Sequence, residues 1–406
     1  MSQIASADLE PAYDSRGRLT VEATIVLASG ARGRAGAPSG ASTGSHEVLA
    51  FPPGGVPEAL ATFRSHVAPT LTGLELAGDV ARLDAALHQV DGTPNFSRIG
   101  GNSATAVSVA GALALGKEAG HPLWKLLARP GIDGSRFPAI VGNCLNGGRH
   151  AIGGPEIQEF IAFAEERSPA DSVRAVVRVH ELLGEALHRK YPKAALGRGD
   201  EGGWVAPIGN IEALELLTEA CARVRDETHL AVHPGLDLAA SEFYVDGKYR
   251  YREQTLDAGG QETFVGRLVD RYDLRYVEDP FDQEAFDSFT ALTRSVGTKT
   301  LVVGDDLYCT NVARLRTGIE RRATNAVLIK VNQIGTLTDT LAAVDLAGSN
   351  GLATVTSHRS GEVPEGWLAH VAVGTGARGL KCGVLGGERV AKLNELLRLA
   401  RATPPP

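Results

Sequence analysis

Six apolar runs in the second half of the chain each end in an ionisable side chain. In chain order these side chains are Asp237, Glu278, Asp305, Lys330, His358 and Lys381. One acid after a strand is usually a turn former or a helix cap. Six successive runs with the same kind of ending indicate instead that the side chains meet at one site.

Three of the six side chains are carboxylates, which would repel one another if they converged without a partner. A divalent hard cation would remove that repulsion, and ligation by oxygen alone favours magnesium over zinc. Asp237, Glu278 and Asp305 are therefore candidate magnesium ligands. The alternative is that each one caps a helix or pairs with a lysine or an arginine.

Lys330 closes the apolar run VLIK and is the candidate base. Burial and a nearby cation would lower its pKa, so that a neutral amine could remove a proton. The alternative is a lysine that only pairs with one of the carboxylates. Lys381 is the second cation and is better suited to binding a substrate carboxylate.

Further polar groups complete the candidate chemistry. Arg359 and Ser360, in SHRSGE, form a donor pair suited to a phosphate, and His358 beside them either faces the ligand or is structural. Glu159, in IQEF, and Glu201, in GDEGG, form a candidate general acid pair, although GDEGG alone could be a tight turn. A base, a metal site and an acid pair together describe a β-elimination next to a carboxylate.

Repeated strand–helix units must position these residues. The stretches between the six runs are mostly helical in periodicity, as in residues 335–349. Alternating strands and helices predict a parallel barrel, and the active site of such a barrel lies at the carboxyl ends of its strands. The fold class is therefore α/β, with a (β/α)8 TIM barrel.

The first third of the chain has a different pattern and predicts a smaller domain. Its expected elements are a strand at 19–28, a Gly-rich loop without regular structure at 31–44, helical periodicity at 57–90 and a buried helix at 102–118. The segment RPGIDGSRFP then has the composition of a linker. We predict a domain of residues 1–133 and a barrel of residues 134–406.

Composition excludes several function classes. The 406 residues carry a formal net charge of -7, with lysine and arginine scattered, which argues against nucleic-acid binding. No apolar stretch has the length of a membrane helix, and the chain starts without a secretion signal. The four cysteines form no CxxC pair and predict reduced thiols in a cytoplasmic protein.

Long motifs give the chain a family resemblance over nearly its whole length. They are DSRG at 14–17, PSGASTG at 38–44, NGGRH at 146–150, QEF at 158–160, GDEGG at 199–203, VEDPF from 277, GDDLYCTN from 304, LIKVNQIGTLTDT from 328, SHRSGE from 357 and ERVAKLNELLR from 388. These motifs resemble enolase, the phosphopyruvate hydratase family. The resemblance implies a small α+β N-terminal cap, an enolase-type modified barrel whose first units are not simple β–α repeats, and a homodimer.

The resemblance also implies a role for each matching residue, with 2-phosphoglycerate as the substrate. Two magnesium ions are expected, the first on Asp237, Glu278 and Asp305 and the second, arriving with substrate, on Ser42. The implied catalytic residues are Lys330 as the base at C2 and Glu201 with Glu159 for loss of the C3 hydroxyl. The implied substrate-binding residues are Lys381 for the carboxylate, Arg359 and Ser360 for the phosphate, and His150, His358 and Gln158 in the pocket.

The chain also departs from the family pattern at the rim of the expected pocket. Arg149 replaces a serine in NGGRH, and the loop after Lys381 is shorter, which predicts a roomier and more cationic pocket. One alternative function is therefore carboxyphosphonoenolpyruvate synthase, which joins a phosphonoformyl group to 2-phosphoglycerate and eliminates water. A second alternative is a non-catalytic relative. Arg401 stands where the family has a glutamate that pairs with the partner's equivalent of Arg16, so one dimer contact is in doubt.

Overall fold

The computed structural model describes residues 2–41, 43–151, 153–166 and 168–402. The strands are β1 Ile4–Tyr13, β2 Leu19–Leu27, β3 Arg32–Gly36, β4 Ala139–Asn146, β5 Glu159–Ala164, β6 Gly197–Arg198, β7 Trp204–Val205, β8 Val232–Asp237, β9 Tyr244–Val245, β10 Lys248–Arg250, β11 Thr255–Leu256, β12 Tyr276–Glu278, β13 Leu301–Gly304, β14 Ala326–Ile329, β15 Ala353–Ser357 and β16 Gly379–Gly383.

Helices cover the strands in both parts of the chain. The α-helices are α1 Gly55–Thr62, α2 Ala68–Leu71, α3 Ala81–Asp91, α4 Gly101–Ala119, α5 Leu123–Leu127, α6 Pro169–Lys190, α7 Asn210–Thr228, α8 Ala258–Tyr272, α9 Phe286–Val296, α10 Val312–Arg321, α11 Val331–Ile334, α12 Leu337–Ser349, α13 Trp367–Gly374 and α14 Gly387–Ala402. A π-helical segment, Phe63–Val67, joins α1 to α2. No helix within these described residues is long and apolar enough to cross a membrane.

The N-terminal part is an antiparallel sheet of order β1-β2-β3, and α1, α2 and α4 pack against it. The strand expected at 19–28 is β2, and the buried helix expected at 102–118 is α4. The expectation of no regular structure at 31–44 was wrong for β3, which pairs with β2 over residues 32–36. Glycines lowered the strand prediction here, but Gly33 allows α4 to approach the backbone closely, because a Cβ on Gly33 would overlap the carbonyl oxygen of Ala110.

The second part is a closed eight-stranded barrel, so the predicted fold class is confirmed. Its strand order is β4-β5-β8-β12-β13-β14-β15-β16, and β16 pairs with β4 to close it. The strands β12 to β16 are parallel to β8, whereas β5 is antiparallel to both β4 and β8. This reversal is the modification of the first barrel units that the family resemblance implied.

The barrel interior is filled by side chains and is not a pore. A compact apolar cluster occupies it, comprising Ala139, Val141, Ile161, Phe163, Tyr276, Val303, Ala326, Leu328 and Val355. Because side chains alternate along a strand, Ala139, Val141 and Asn143 of β4 share one face. Asn143 thus lies one step further along the interior face, towards the carboxyl edge, where the polar residues gather.

Candidate active site

The carboxyl edge of the barrel gathers the predicted site residues. Asp237 and Glu278 are the last residues of β8 and β12, and they are paired in register. Asp305, Lys330 and His358 each come one residue after the end of β13, β14 and β15. Parallel strands place all of these ends at one edge of the barrel.

The reversed strand β5 contributes from its beginning. Glu159 is its first residue and lies opposite Asp237 of β8 and Asn146 of β4. Because β5 is antiparallel, its amino end shares the edge where its neighbours have their carboxyl ends. Glu201 reaches the same edge from the turn between β6 and β7.

These side chains line one small polar cavity of about 20 Å³. All the residues predicted for the site line it, apart from Glu278, which contacts the cavity residue Lys381, and Ser42, which lies outside the described residues. The lining consists of Gly40, His150, Gln158, Glu159, Glu201, Asp237, Asp305, Lys330, Ser357, His358, Arg359, Ser360 and Lys381.

Lys381 lies among three buried carboxylates. Its Nζ is 2.8 Å from Asp237 Oδ2, 2.8 Å from Glu278 Oε1 and 3.3 Å from Glu159 Oε1. Burial opposes the charge of this lysine, but the three carboxylates raise its pKa well above the ordinary value. Glu278 is fully buried and also accepts a hydrogen bond from the Tyr276 hydroxyl at 2.5 Å.

Lys330 contacts Asp305 directly, and Asp305 Oδ1 also accepts a hydrogen bond from Gln333 Nε2 at 2.8 Å. Burial is the largest influence on the pKa of Lys330 and lowers it, but the Asp305 and Glu278 carboxylates raise it, and the net shift is upward. The expected lowering of this pKa depended on a nearby metal cation as well as on burial, and it stays a prediction. In this structure the Asp305 carboxylate pairs with the Lys330 ammonium, in the position where it could instead bind a metal cation.

The carboxylates fit a divalent cation by the chemistry of their donors. Asp237, Glu278 and Asp305 offer only oxygen, they are buried, and their present counter-charges are the ammonium groups of Lys330 and Lys381. Burial and the Asp237 charge raise the pKa of Glu278 to about 8. A positive charge added nearby would therefore stabilise the ionised form of Glu278.

The tightest groups of possible ligands in the described chain differ from this triad. They are His150 with Glu159 and Glu201, and Asp279 with Asp305 and Asp306; in each, one ligand atom per residue lies within 4.8 Å of the others. In the second group, both Asp279 oxygens already accept hydrogen bonds from the amides of Asp305 and Asp306, at 2.9 and 2.7 Å. Asp279 therefore shapes the turn that presents Asp305.

The two candidate acids have opposite pKa shifts. Burial and the charge of Glu201 raise the pKa of Glu159 well above its usual range. Burial would also raise the pKa of Glu201, but His358, His150 and Arg389 outweigh it and lower that pKa. His150 lies between the two acids, with ring nitrogens 3.8 Å from Glu159 Oε1 and 3.8 Å from Glu201 Oε1.

The candidate phosphate-binding residues are held by the N-terminal part of the chain. Arg359 makes a two-pronged ion pair with Glu47, each N–O distance being 3.0 Å, and donates to Asn332 Oδ1 at 2.9 Å. Ser360 Oγ accepts a hydrogen bond from the Ala41 amide at 2.5 Å. Gly40 and Ala41 thus lie beside the cavity, with Gly40 in its lining.

Sequence reasoning missed several residues that contact the predicted set. Glu47 binds Arg359, Asn143 donates to Glu201 Oε2 at 2.9 Å, and Arg389 donates to His358 Nδ1 at 2.8 Å. Asn143 could have been found, because it is a polar residue on the interior face of an apolar strand. Glu47 is distant in sequence from its partner and carries no such local signal, whereas Arg389 lies in the motif ERVAKLNELLR, to which no role at the site was assigned.

Arg149 does not extend the cavity. Its side chain is 59% exposed and pairs with Glu242 at 2.5 Å, and it is absent from the cavity lining within the described ranges. The prediction of a more cationic pocket was therefore wrong, because a surface carboxylate takes up the added charge. Arg16 is paired within the chain, with Asp200 at 2.8 Å.

Family models and known sequences match the chain along its length. The model for the enolase C-terminal TIM barrel domain matches residues 135–403, and the model for the enolase N-terminal domain matches residues 4–127. The chain belongs to the enolase family. Enolase of Haloquadratum walsbyi is 45% identical over 404 residues, which cover 98% of this chain and 99% of that protein.

Two further relatives give the same result. Enolase of Halorubrum lacusprofundi is 45% identical over 403 residues, covering 98% of this chain and 99% of the relative. Enolase of Methanothermobacter thermautotrophicus is 45% identical over 399 residues, covering 96% and 94%. Identity of this extent includes both the N-terminal part and the barrel.

Proposed function

We propose that this protein dehydrates 2-phosphoglycerate to phosphoenolpyruvate. The observation that carries this function is the single cavity in which a lysine base, a carboxyl pair, an arginine and a second lysine meet at the barrel edge. Full-length identity to enolases supports the same reaction. Neither phosphonoformyl transfer nor a non-catalytic role finds support in these relatives or in the position of Arg149.

Lys330 removes the C2 proton in this proposal. The C2–H bond breaks, the proton passes to Nζ, and the electron pair enters an enediolate on the substrate carboxylate. Lys330 must be neutral to act, so the substrate complex must weaken its contact with Asp305. Lys381 binds the substrate carboxylate, and to do so its ammonium group leaves the carboxylates of Asp237, Glu278 and Glu159 that it contacts in this structure.

Asp237, Glu278 and Asp305 would hold magnesium, and Ser42 would contribute to a second ion that arrives with substrate. A bound divalent cation would supply positive charge to the oxygen atoms on which negative charge develops. The same charge would replace the ammonium groups that now neutralise the three carboxylates. Lys330 and Lys381 would then be released for substrate.

Glu201 and Glu159 complete the elimination. The C2–C3 double bond forms as the C3–O bond breaks, and a proton from this carboxyl pair converts the departing hydroxyl to water. Arg359 and Ser360 bind the phosphate, and the phosphate takes the place of the Glu47 carboxylate on the guanidinium fork. Gln158, His150 and His358 line the pocket around the reacting carbons.

We further infer a cytoplasmic homodimer, from the family resemblance and from four free buried cysteines, which suit a reducing compartment. The dimer would lack the contact between Arg16 and a family glutamate, because Arg401 occupies the latter position and Arg16 pairs with Asp200.

An absorbance assay tests the proposed function. Purified protein with magnesium should convert 2-phosphoglycerate to the enol product, and chelation of the metal should abolish the reaction reversibly. Lys330→Ala should lower kcat by about 10²- to 10⁴-fold, the usual contribution of a general base.

Lys299→Ala is the matched control, because Lys299 also pairs with an aspartate, Asp270 at 2.8 Å, but just before the start of β13 and thus at the opposite end of the barrel. Its activity should match that of the wild type. Wild-type protein that is inactive with magnesium, or Lys330→Ala protein with full activity, would overturn the proposed function.

A further inference from the structure

Arg389 is a fully buried arginine on α14 that reaches under the active site. Its Nη1 donates to His358 Nδ1 at 2.8 Å and to the Arg359 carbonyl at 2.5 Å. Its Nη2 donates to the carbonyl oxygens of Ser360 at 2.6 Å and Asp200 at 3.0 Å. One guanidinium therefore joins the SHRSGE segment to the turn that carries Glu201.

The donors at His358 Nδ1 determine where the imidazole carries its proton. Nδ1 receives the Arg389 guanidinium and also the Gly383 amide at 3.3 Å. Both groups can only donate, since arginine stays protonated in proteins and an amide has no acceptor on nitrogen. Nδ1 must therefore be the unprotonated acceptor, and the proton of the neutral ring is on Nε2.

The protonated nitrogen faces a catalytic carboxylate. His358 Nε2 lies 3.1 Å from Glu201 Oε2, the same oxygen that accepts from Asn143, but the two atoms are not aligned as a hydrogen bond and Nε2 has no other partner among the described residues. We propose that Arg389 is a positioning residue for water elimination: it holds His358 as the Nε2–H tautomer and directs that N–H at Glu201. This role rests on the proposed function, because it acts on the carboxyl pair that completes the dehydration.

The charges around His358 keep the ring neutral. Burial lowers its pKa to about 4, and the Arg389 charge acts in the same direction, while Glu201 and Glu362 oppose them. A neutral ring with a fixed tautomer offers Glu201 one donor and does not take its proton. Proton transfer to the leaving hydroxyl therefore stays with Glu201 and Glu159.

Lysine could not reproduce this arrangement. An ammonium group is a point charge, whereas the planar guanidinium fork reaches an imidazole nitrogen and three carbonyl oxygens at once. The cavity lining within the described chain does not include Arg389. Its effect must pass through His358 and Glu201, which gives the inference a sharp test.

Nitrogen NMR of ¹⁵N-histidine-labelled wild-type protein tests the tautomer without any change to Arg389. A His358→Gln sample assigns the His358 signals. We expect Nδ1 of His358 to show the shift of an unprotonated nitrogen and Nε2 that of a protonated one, unchanged between about pH 5 and about pH 8. Protonated Nδ1, or a mixture of the two tautomers, would overturn the proposal.

Kinetics of Arg389→Lys test the consequence for the reaction. Dehydration should slow by about 10- to 100-fold, as when an outer partner of a functional histidine is lost. Exchange of the C2 hydrogen with D2O, for which Lys330 and not the carboxyl pair is the base, should persist. Arg398→Lys, an exposed arginine of the same helix that pairs with Glu395 at 2.6 Å, is the matched control and should behave as wild type.

A double-mutant cycle separates positioning from general structural support. If Arg389 acts through His358, Arg389→Lys should add little to the defect of His358→Gln, because the two changes remove one coupled arrangement. Fully additive effects, or a parallel loss of C2 exchange, would overturn the proposal. Wild-type protein without dehydration would instead overturn the proposed function, even if the NMR tautomer is as expected.

Discussion

At the residue scale, the two carboxyl groups of Glu159 and Glu201 differ most clearly in protonation, because their pKa values shift in opposite directions. Glu159 and Glu201 are both buried, yet burial raises the pKa of the first while neighbouring imidazoles and Arg389 lower that of the second. Two acids whose environments separate their pKa values can hold one proton between them. We expect Glu159 to carry that proton and Glu201 to be ionised before substrate binds.

Glu201→Gln should separate the two half-reactions. Loss of this carboxylate removes one member of the carboxyl pair and should slow dehydration by about 10²- to 10⁴-fold, as expected for general acid–base catalysis. Lys330 is unchanged, so C2 hydrogen exchange in D2O should continue. Mass spectrometry of recovered 2-phosphoglycerate measures the exchange.

The control for this change is Glu185→Gln on α6, where the side chain is exposed and pairs with Arg178 at 3.4 Å. Both half-reactions should keep their wild-type rates. If Glu201→Gln lost exchange to the same degree as dehydration, Glu201 would belong to proton abstraction and not to the elimination step.

At the element scale, strand ends were the most predictable feature. Apolar runs that end in polar residues follow from the alternation of a buried strand with a functional edge, so Asp305 and Lys330 could be placed from the sequence alone. The direction of β5 could not be derived in this way, since a short apolar run has the same composition in either orientation. The family resemblance implied only that the first barrel units are not simple β–α repeats.

The strand β3 shows the opposite difficulty, because glycine weakens a strand prediction even where tertiary packing requires it. Gly33 faces α4, and an added Cβ would overlap the Ala110 carbonyl and the Ala114 amide nitrogen. Gly33→Ala should therefore lower the free energy of unfolding by about 1–3 kcal/mol or more, as overpacking does. Denaturant unfolding with unchanged m-value measures the effect.

Gly266→Ala is the control for this prediction. Gly266 lies within α8, and a Cβ there would meet no atom within 4 Å. Alanine has the higher helix propensity, so this variant should gain roughly 0.5–1 kcal/mol. Equal unfolding free energies for Gly33→Ala and wild type would mean that α4 can move away from β3 at no cost.

At the scale of the whole molecule, the fold and most of the residues that line the cavity could be predicted, but the contacts that hold those residues could not. Barrel strands follow from local patterning, and site residues from their position at strand ends. The Arg359–Glu47 ion pair joins residues 312 positions apart, and no local pattern specifies such a partner. The boundary near residue 133 stays a prediction.

The N-terminal part and the barrel are joined by a buried carboxylate. Asp84 of α3 accepts hydrogen bonds from the Thr338 amide at 3.0 Å and from its hydroxyl at 2.5 Å, at the start of α12. Burial raises the pKa of Asp84 to about 6, although these hydrogen bonds and that of Ser108 lower it in part. The interface therefore contains a group that titrates between weakly acidic and neutral pH.

The pH dependence of stability follows from this shift. The folded state binds the Asp84 proton more tightly than the unfolded state, so its stabilisation is complete below the unfolded pKa and is lost as pH rises through about 6. The free energy of unfolding of wild type, minus that of Asp84→Asn, should fall by roughly 2 kcal/mol between about pH 4 and about pH 7. Asp287→Asn, at an exposed aspartate, should give a smaller change. A difference that rises with pH would mean that the interface favours the ionised carboxylate, through the hydrogen bonds of Thr338 and the amino end of α12.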